Sequence, residues 1–141
     1  MKQVLDWVCP LLPDDKPRHL LGVGEIDDIF ELVAHGIDTF DCVQPTRLAR
    51  MGKVFQRQIE IDITKKEYAK DTKPIDSVCR CYTCQHFSRA YIHHLFRVRE
   101  LLAYRLATIH NLHFVIELTR HIRASIENGF FLALRKIWLY D

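Results

Sequence analysis

No apolar run in the 141 residues extends beyond a few positions. No segment therefore approaches the roughly 18–20 residues that cross a bilayer as a helix. Charge of one sign is also lacking, since 20 Lys and Arg face 18 Asp and Glu and leave a net +2. This excludes a globally basic polymer-binding protein, although RNA binding needs only a local basic patch. Internal repeats and low-complexity tracts are absent. The start, MKQVLDWVCPLLPDD, carries Asp6, Asp14 and Asp15 and does not read as a signal peptide. Hydrophobic residues are plentiful, at 48%, which argues against disorder and for one ordinary soluble domain. The length excludes one object outright, because a closed (β/α) barrel takes at least ~200 residues.

Along the chain, residues 2–12 read as an amphipathic helix with Val4, Leu5, Val8 and Leu12 on one side. RHLLGVG (18–24) reads as a buried strand whose glycine end passes close to something. Ile26, Ile29, Phe30 and Val33 repeat at helical spacing, Glu25, Asp27 and Asp28 suit the first turn, and Gly36 supplies a stop. IDTFDCV (37–43) reads as a second buried strand ended by Pro45. Strand, helix and strand with tight glycine joints imply a βαβ unit and parallel strands. Alternation over 54–64, with Ile59, Ile61 and Ile63 on one face, suggests a β-ribbon. Residues 65–74 read as a solvated connection. Beyond Cys84 the pattern is helical: Tyr91, Leu95, Val98 and Leu102 mark one face. Ile109, Leu112, Ile116, Thr119, Ile122 and Ile126 mark a second helix ended by Gly129, and 130–138 forms a last helical stretch.

Three of the five cysteines are crowded into C-x-C-x-x-C, at Cys79, Cys81 and Cys84. In a chain expected to be cytoplasmic, crowded cysteines point to metal or redox chemistry rather than disulfides. Three thiolates within six residues can converge on one tetrahedral ion with a histidine as fourth ligand, and soft sulfur donors suit Zn²⁺. A redox dithiol and an incidental cluster are the alternatives. Spacing leaves the fourth ligand open among His86, His93, His94, His110, His113 and His121, with His86 awkwardly near. A Cys₃His set would have no open position, so the metal would be structural.

Asp41 lies in FDCVQPTR at the end of an apolar strand, where α/β proteins place catalytic groups. The bland alternative is a carboxylate that caps backbone or pairs with an arginine. Asp38 competes with it, and Cys42 points to the opposite face as a small core residue. The segment 46–53, read as a loop, carries Arg47, Arg50 and Lys53. It is either a phosphate-binding loop or a solvated turn. Arg89, Arg97 and Arg99 follow beside His93 and His94.

Taken together, FDCVQPTRLARMG, CRCYTCQHFSRAYIHHL and TIHNLHF closely resemble the tRNA-guanine transglycosylases, or queuine tRNA-ribosyltransferases, of the bacterial type. The resemblance runs from 15 to the helix ended by Gly129. It implies an α/β fold: the C-terminal part of a (β/α)₈ TIM barrel, with its last two strands and helices and a zinc-binding β/α insert. The expected division is 1–51 barrel segment, 52–129 insert with following helices, and 130–141 helical tail. On the resemblance Asp41 is the catalytic nucleophile. Cys79, Cys81, Cys84 and His110 are the ligands of one structural Zn²⁺. Arg47 and Arg50 contact the tRNA anticodon loop, and Leu21 and Gly22 line the base pocket. The implied reaction exchanges guanine at the wobble position of GUN-anticodon tRNAs for a 7-deazaguanine, in queuosine formation, through a covalent ribosyl-aspartate. Family enzymes of this type are homodimers, with no membrane role.

Some positions depart from the family. Leu21 stands where Met is frequent, Gln58 and Ile59 stand where the ribbon turns on Asp-Gly, and bulkier residues replace glycines near 99–104. Strands one to six, with the second catalytic aspartate, are not in this sequence. Two readings follow: a transglycosylase portion without base exchange by itself, and a catalytically inactive zinc-stapled module that binds tRNA or a partner chain. A structural zinc domain with no substrate is a third.

Overall fold

The computed structural model describes residues 2–57 and 59–140. They form two compact units, one of 1–44 with 122–141 and one of 45–121.

In the first unit, helix α1 (Lys2–Val8) continues into a 3₁₀ turn (Cys9–Leu11) at Pro10. The buried positions are Leu5 and Cys9, one helical turn apart. Val4, Val8 and Leu12, expected on the core side, are exposed. Strand β1 (His19–Leu20) and strand β2 (Thr39–Phe40) pair in parallel, His19 opposite Thr39 and Leu20 opposite Phe40. Helix α2 (Ile26–Ala34) connects them, as a βαβ unit requires. Both strands are far shorter than the apolar runs suggested, and they are not fully buried: His19 and Thr39 are exposed, Leu20 and Phe40 half-buried, and Leu21 and Val43 beyond the strands are exposed.

Helix α2 begins with Asp27 and Asp28 in its first turn and ends on Gly36, whose φ is +79°, the left-handed terminator glycine accepts readily. It buries Ile29, Phe30 and Leu32. Leu5, Cys9, Leu32 and Ile37 form the unit's core, with Leu20, Val23 and Phe40 against it. Phe30 also meets Phe131 and Trp138 of helix α7 (Phe131–Tyr140), at ring-centroid distances of 6.3 and 6.0 Å. Arg135 of α7 pairs with Glu31 of α2. The close approach expected at the glycine end of 18–24 is at Gly24. A Cβ there would sit 2.5 Å from the Cys42 Cβ, so only hydrogen fits between the two strand exits. That contact turns Cys42 inward, half-buried, where its sulfur accepts the Gln44 N–H at 3.3 Å.

The second unit corrects the reading of 46–53 as a loop. Gln44–Arg50 is helix α3, with Pro45 in its first turn, where a missing N–H costs nothing. Pro45, Leu48 and Ala49 are buried, and that apolar side makes the segment a helix despite its charges. Lys53 already belongs to strand β3 (Lys53–Gln56), which pairs antiparallel with strand β4 (Ile59–Asp62). The β-ribbon is therefore present. Ile61 and Ile63 are buried in it, but Ile59 at its tip is exposed. Of the two turn positions singled out above, Gln58 lies outside the described residues.

The stretch 65–74 is also more structured than a solvated connection. It contains a 3₁₀ helix, Lys66–Lys70, tied to helix α5 (Arg89–Arg97). Arg89 bonds Asp71 at 3.0 Å and the Ile75 carbonyl at 2.8 Å, and its guanidinium lies 5.7 Å from the centre of the Tyr68 ring. The Lys73 N–H, then Arg89, hold the Asp71 carboxyl below its ordinary range. A carboxyl whose folded pKa is depressed stabilises the fold above its unfolded pKa, near 3.9, and loses that contribution as pH falls through the folded value. Asp71→Ala is expected to cost about 1–2 kcal/mol at neutral pH and clearly less at a pH below both values, where only the neutral hydrogen bonds remain. Urea titrations at the two pH values read the difference.

Helix α5 buries Ile92, His93 and Leu95, not the Tyr91, Val98 and Leu102 expected beside Leu95, which are exposed. It turns into helix α6 (Leu101–Glu127) through Arg99 at φ +60°, the position class where glycine is favoured. A side chain in this left-handed conformation costs roughly 1 kcal/mol. In α6, Ala103, Leu106, Ala107, His110, Asn111, Leu118 and Ile122 are buried. The large residues expected inside, Leu112, Ile116 and Ile126, are exposed. α6 ends as expected at Gly129, φ +76°. None of the described helices is long and apolar enough to cross a membrane.

Candidate metal centre and strand-end carboxylate

The cysteines converge because their loop is short and capped by its own sulfurs. Cys79 Sγ faces the Cys81 N–H at 3.5 Å. Cys81 caps helix α4 (Tyr82–His86), its sulfur accepting the Cys84 N–H at 3.3 Å. Such N–H···S contacts favour thiolates. Thr83, fully buried on the same turn, donates to the Leu106 carbonyl at 2.7 Å and fastens α4 to α6. That places the thiols over His110, one turn further along α6. The His110 Nδ1 lies 3.8, 3.5 and 3.3 Å from the sulfurs of Cys79, Cys81 and Cys84. All four ligand atoms lie within 4.8 Å of one another. Zn–S bonds of about 2.3 Å and a Zn–N bond of about 2.05 Å at the tetrahedral angle require sulfur–nitrogen separations of about 3.5–3.6 Å. The observed spread brackets that value, so the donor set fits the ion.

The ring is aimed from behind. His110 Nε2 faces the Phe55 carbonyl of β3 at 2.6 Å; with hydrogen on Nε2, the Nδ1 lone pair points at the thiols. Without an ion the charges conflict. The neighbouring Cys79 and Cys84 thiols pull Cys81 far below its ordinary pKa, and the same crowding by Cys79 and Cys81, then burial, pushes Cys84 far up. Burial lowers His110, but the Cys79 and Cys81 sulfurs and the Phe55 carbonyl outweigh it and raise it to about 9. A dication relieves all three, because every sulfur can then be a thiolate. The other histidines do not join the set: His93, buried, faces the Ile63 carbonyl at 2.9 Å, and His86 is exposed, its ring against Tyr82.

Asn111 is a residue that sequence reasoning missed. It is fully buried; its Oδ1 accepts the Phe55 N–H at 3.1 Å, and its Nδ2 donates to the Pro45 and Lys53 carbonyls at 3.0 Å each. His110 and Asn111 thus grip both hydrogen-bonding groups of Phe55. The available signal was the polar pair HN inside TIHNLHF, on a stretch otherwise rich in apolar residues. Asn111→Ala strands buried partners and is expected to destabilise this unit by about 3 kcal/mol, read as a lowered urea midpoint in zinc-loaded protein.

In the first unit, Asp41 follows β2 directly and is 59% exposed. Its Oδ1 accepts the Gly22 N–H at 3.2 Å and lies 3.4 Å from His19 Nε2. Gly22 presents that N–H from a backbone at φ +73°, which a side chain would strain. Asp38, the competing candidate, accepts the Arg18 N–H at 2.8 Å; the backbone-capping contact weighed as the bland alternative for Asp41 is thus made by both carboxylates. Leu21 and Gly22 are exposed beside this carboxylate. Arg47 and Arg50 lie in the second unit, exposed on the outer side of α3 and one turn apart.

The family model described as queuine tRNA-ribosyltransferase matches residues 1–141, the whole chain. The chain belongs to this family. Queuine tRNA-ribosyltransferases of Desulforudis audaxviator and Roseiflexus sp. are each 50% identical to it, over 139 and 143 residues. A putative queuine tRNA-ribosyltransferase of Archaeoglobus fulgidus is 45% identical over 148 residues. Each alignment covers 99% of this chain but only 36–37% of the relative. The chain therefore spans a little over a third of the length of these family members, their C-terminal portion.

Proposed function

We propose that the chain is the C-terminal part of a (β/α)₈ barrel tRNA-guanine transglycosylase, supplying its nucleophile and its structural zinc. In sequence terms 1–51 would be the barrel segment, 52–129 the insert with its helices, and 130–141 the tail. The carrying observation is Asp41, exposed at the carboxyl end of a parallel strand pair and oriented through one oxygen by the Gly22 N–H. The family, queuine tRNA-ribosyltransferase, supplies the substrate class, a tRNA.

In this reading Asp41 attacks C1′ of the wobble guanosine in a GUN-anticodon tRNA. A C1′–O bond forms as the C1′–N9 bond breaks. The electron pair leaves with guanine, which takes up a proton at N9. A 7-deazaguanine then attacks C1′ through its ring nitrogen, loses that nitrogen's proton and releases the Asp41 carboxylate. Two inversions give net retention. The target base must leave the stack to be reached. Leu21 and Gly22 would line the base pocket, and Arg47 and Arg50 would hold anticodon-loop phosphates. Proton transfer and base reading would fall to the family's strands one to six. Cys79, Cys81, Cys84 and His110 would hold Zn²⁺, which supplies cross-linking and no activated water, because the set is closed. A cytoplasmic homodimer is the expected assembly.

The test is incorporation of labelled guanine into a GUN-anticodon tRNA. The chain alone should show none. Together with the remaining portion of a family enzyme it should exchange guanine. Exchange by the chain alone, or none by the reconstituted pair when both parts are folded and zinc-loaded, would count against the reading. The alternative is a zinc-stapled module that binds tRNA or a partner chain without catalysis. It rests on the second unit, whose core and metal ligands all lie within 45–121.

A further inference from the structure

The reading of Asp41 as nucleophile leaves open which of its oxygens reacts and what holds the other. The carboxylate has two neighbours, both on the same oxygen. Gly22 N–H reaches Oδ1 at 3.2 Å, and His19 Nε2 lies 3.4 Å from that atom. Among the described residues nothing bonds Oδ2. The imidazole is itself fixed on its far side: His19 Nδ1 lies 2.8 Å from Thr39 Oγ1. His19 and Thr39 are register partners across the parallel pair, so two side chains facing each other across β1 and β2 set the ring's plane. A Thr39 hydroxyl donating to Nδ1 would leave the ring hydrogen on Nε2, the atom that faces Asp41.

We infer that His19, held by Thr39, is a positioning residue that together with the Gly22 N–H occupies Oδ1 of Asp41 and reserves Oδ2 for attack on the ribose. This rests on the proposed role of Asp41. Three points support it beyond contact alone. One N–H bond from Gly22 and the His19 imidazole nitrogen beside the same oxygen restrict rotation about the Cβ–Cγ bond of a side chain that is otherwise 59% exposed. Among the described residues no protein group holds Oδ2, so that oxygen faces outward, open to an incoming ribose. The contact line Thr39–His19–Asp41 orders an acid through an imidazole and a hydroxyl, the outer-sphere arrangement that fixes reactive groups elsewhere. His19 touches no reacting atom, so its effect should be on the rate of the oriented step rather than on substrate binding.

The test has two arms. In the chain as it stands, labelled with ¹⁵N-histidine and assigned through His19→Gln, long-range proton–nitrogen spectra read which ring nitrogen carries hydrogen. The expected result is hydrogen on Nε2, with that preference lost in Thr39→Val. Hydrogen on Nδ1, or no change in Thr39→Val, overturns the inference. In the second arm, this chain replaces the matching stretch of the Desulforudis audaxviator enzyme, and guanine exchange into tRNA is measured. His19→Phe should lower kcat by about tenfold or more, with KM for tRNA within about twofold, and His19→Gln, which keeps an N–H near Nε2, should recover most of the rate. A His19→Phe kcat within about twofold of the parent, or a loss expressed only in KM, overturns it. Asp41→Ala in the same graft separates the two claims: surviving exchange refutes the nucleophile, whereas its loss with an indifferent His19 refutes only the positioning role. If the grafted parent is silent, the tautomer result decides.

Discussion

Removing the metal should unfold the 45–121 unit rather than merely loosen it. Structural zinc in a Cys₃His-type set contributes about 10–16 kcal/mol of apparent free energy at neutral pH. A whole domain of this size is stable by only about 5–15 kcal/mol. Here the ion would join Cys79, Cys81 and Cys84 to His110, and His110 in turn holds β3 through the Phe55 carbonyl. Helix α4, the ribbon and α6 therefore share one cross-link. Cys81→Ala, His110→Ala and excess chelator should each remove the metal and collapse the helical circular dichroism of this unit. Cys42→Ser, outside the cluster, should leave zinc content unchanged. Atomic absorption on folded, reduced protein checks the premise. A value below about half an equivalent per chain would sink it, as would a chelator-treated sample that keeps its fold.

The second large effect is on chemistry. Asp41→Asn keeps the side chain's shape and one carbonyl oxygen but removes the nucleophilic charge. Deleting the nucleophile of a covalent mechanism typically costs between about 10⁴ and 10⁶ in rate. In the reconstituted enzyme Asp41→Asn should therefore leave exchange at or below about one part in 10⁴ of the parent. Asp38→Asn should stay within about tenfold, because Asp38 is engaged with the Arg18 backbone. A second readout separates chemistry from binding: a denaturation-resistant protein–tRNA adduct should form with the parent and not with Asp41→Asn, while native tRNA binding persists in both. An adduct that survives the substitution would move the nucleophile elsewhere.

What could be read beforehand follows the range over which the forces act. C-x-C-x-x-C announces a metal because six residues of chain already bring three thiols together. His110 lies 26 residues beyond Cys84, on a different helix, and spacing left it one of six histidines; only the family resemblance, and then the fold, singled it out. The same limit explains the corrected helix faces. In α6 the bulky Leu112, Ile116 and Ile126 suggested the core side, but the side that meets β3 and the thiol turn is built from Ala107, His110 and Asn111. Close approach of a strand and a metal loop selects small and hydrogen-bonding side chains, and a hydrophobicity period cannot report that. In α3 the charges of Arg47 and Arg50 concealed a helix whose buried side is Pro45, Leu48 and Ala49.

By itself the sequence determined the local features: the parallel βαβ start, the glycine stops at Gly36 and Gly129, the ribbon, the thiolate cluster, and through its motifs the family. The stops, the ribbon and the thiolate cluster follow from neighbours within a few residues, whose torsional preferences and caps act whatever lies elsewhere; the parallel pairing follows from the strand–helix–strand order, because a helical crossover returns the chain in the same direction. Tertiary structure decided which histidine joins the thiols, that Asn111 grips Phe55, and that His19 and Thr39 stand beside Asp41. Each depends on residues 20 or more positions apart meeting at close range. Such meetings depend on how whole elements pack, and no local pattern encodes that.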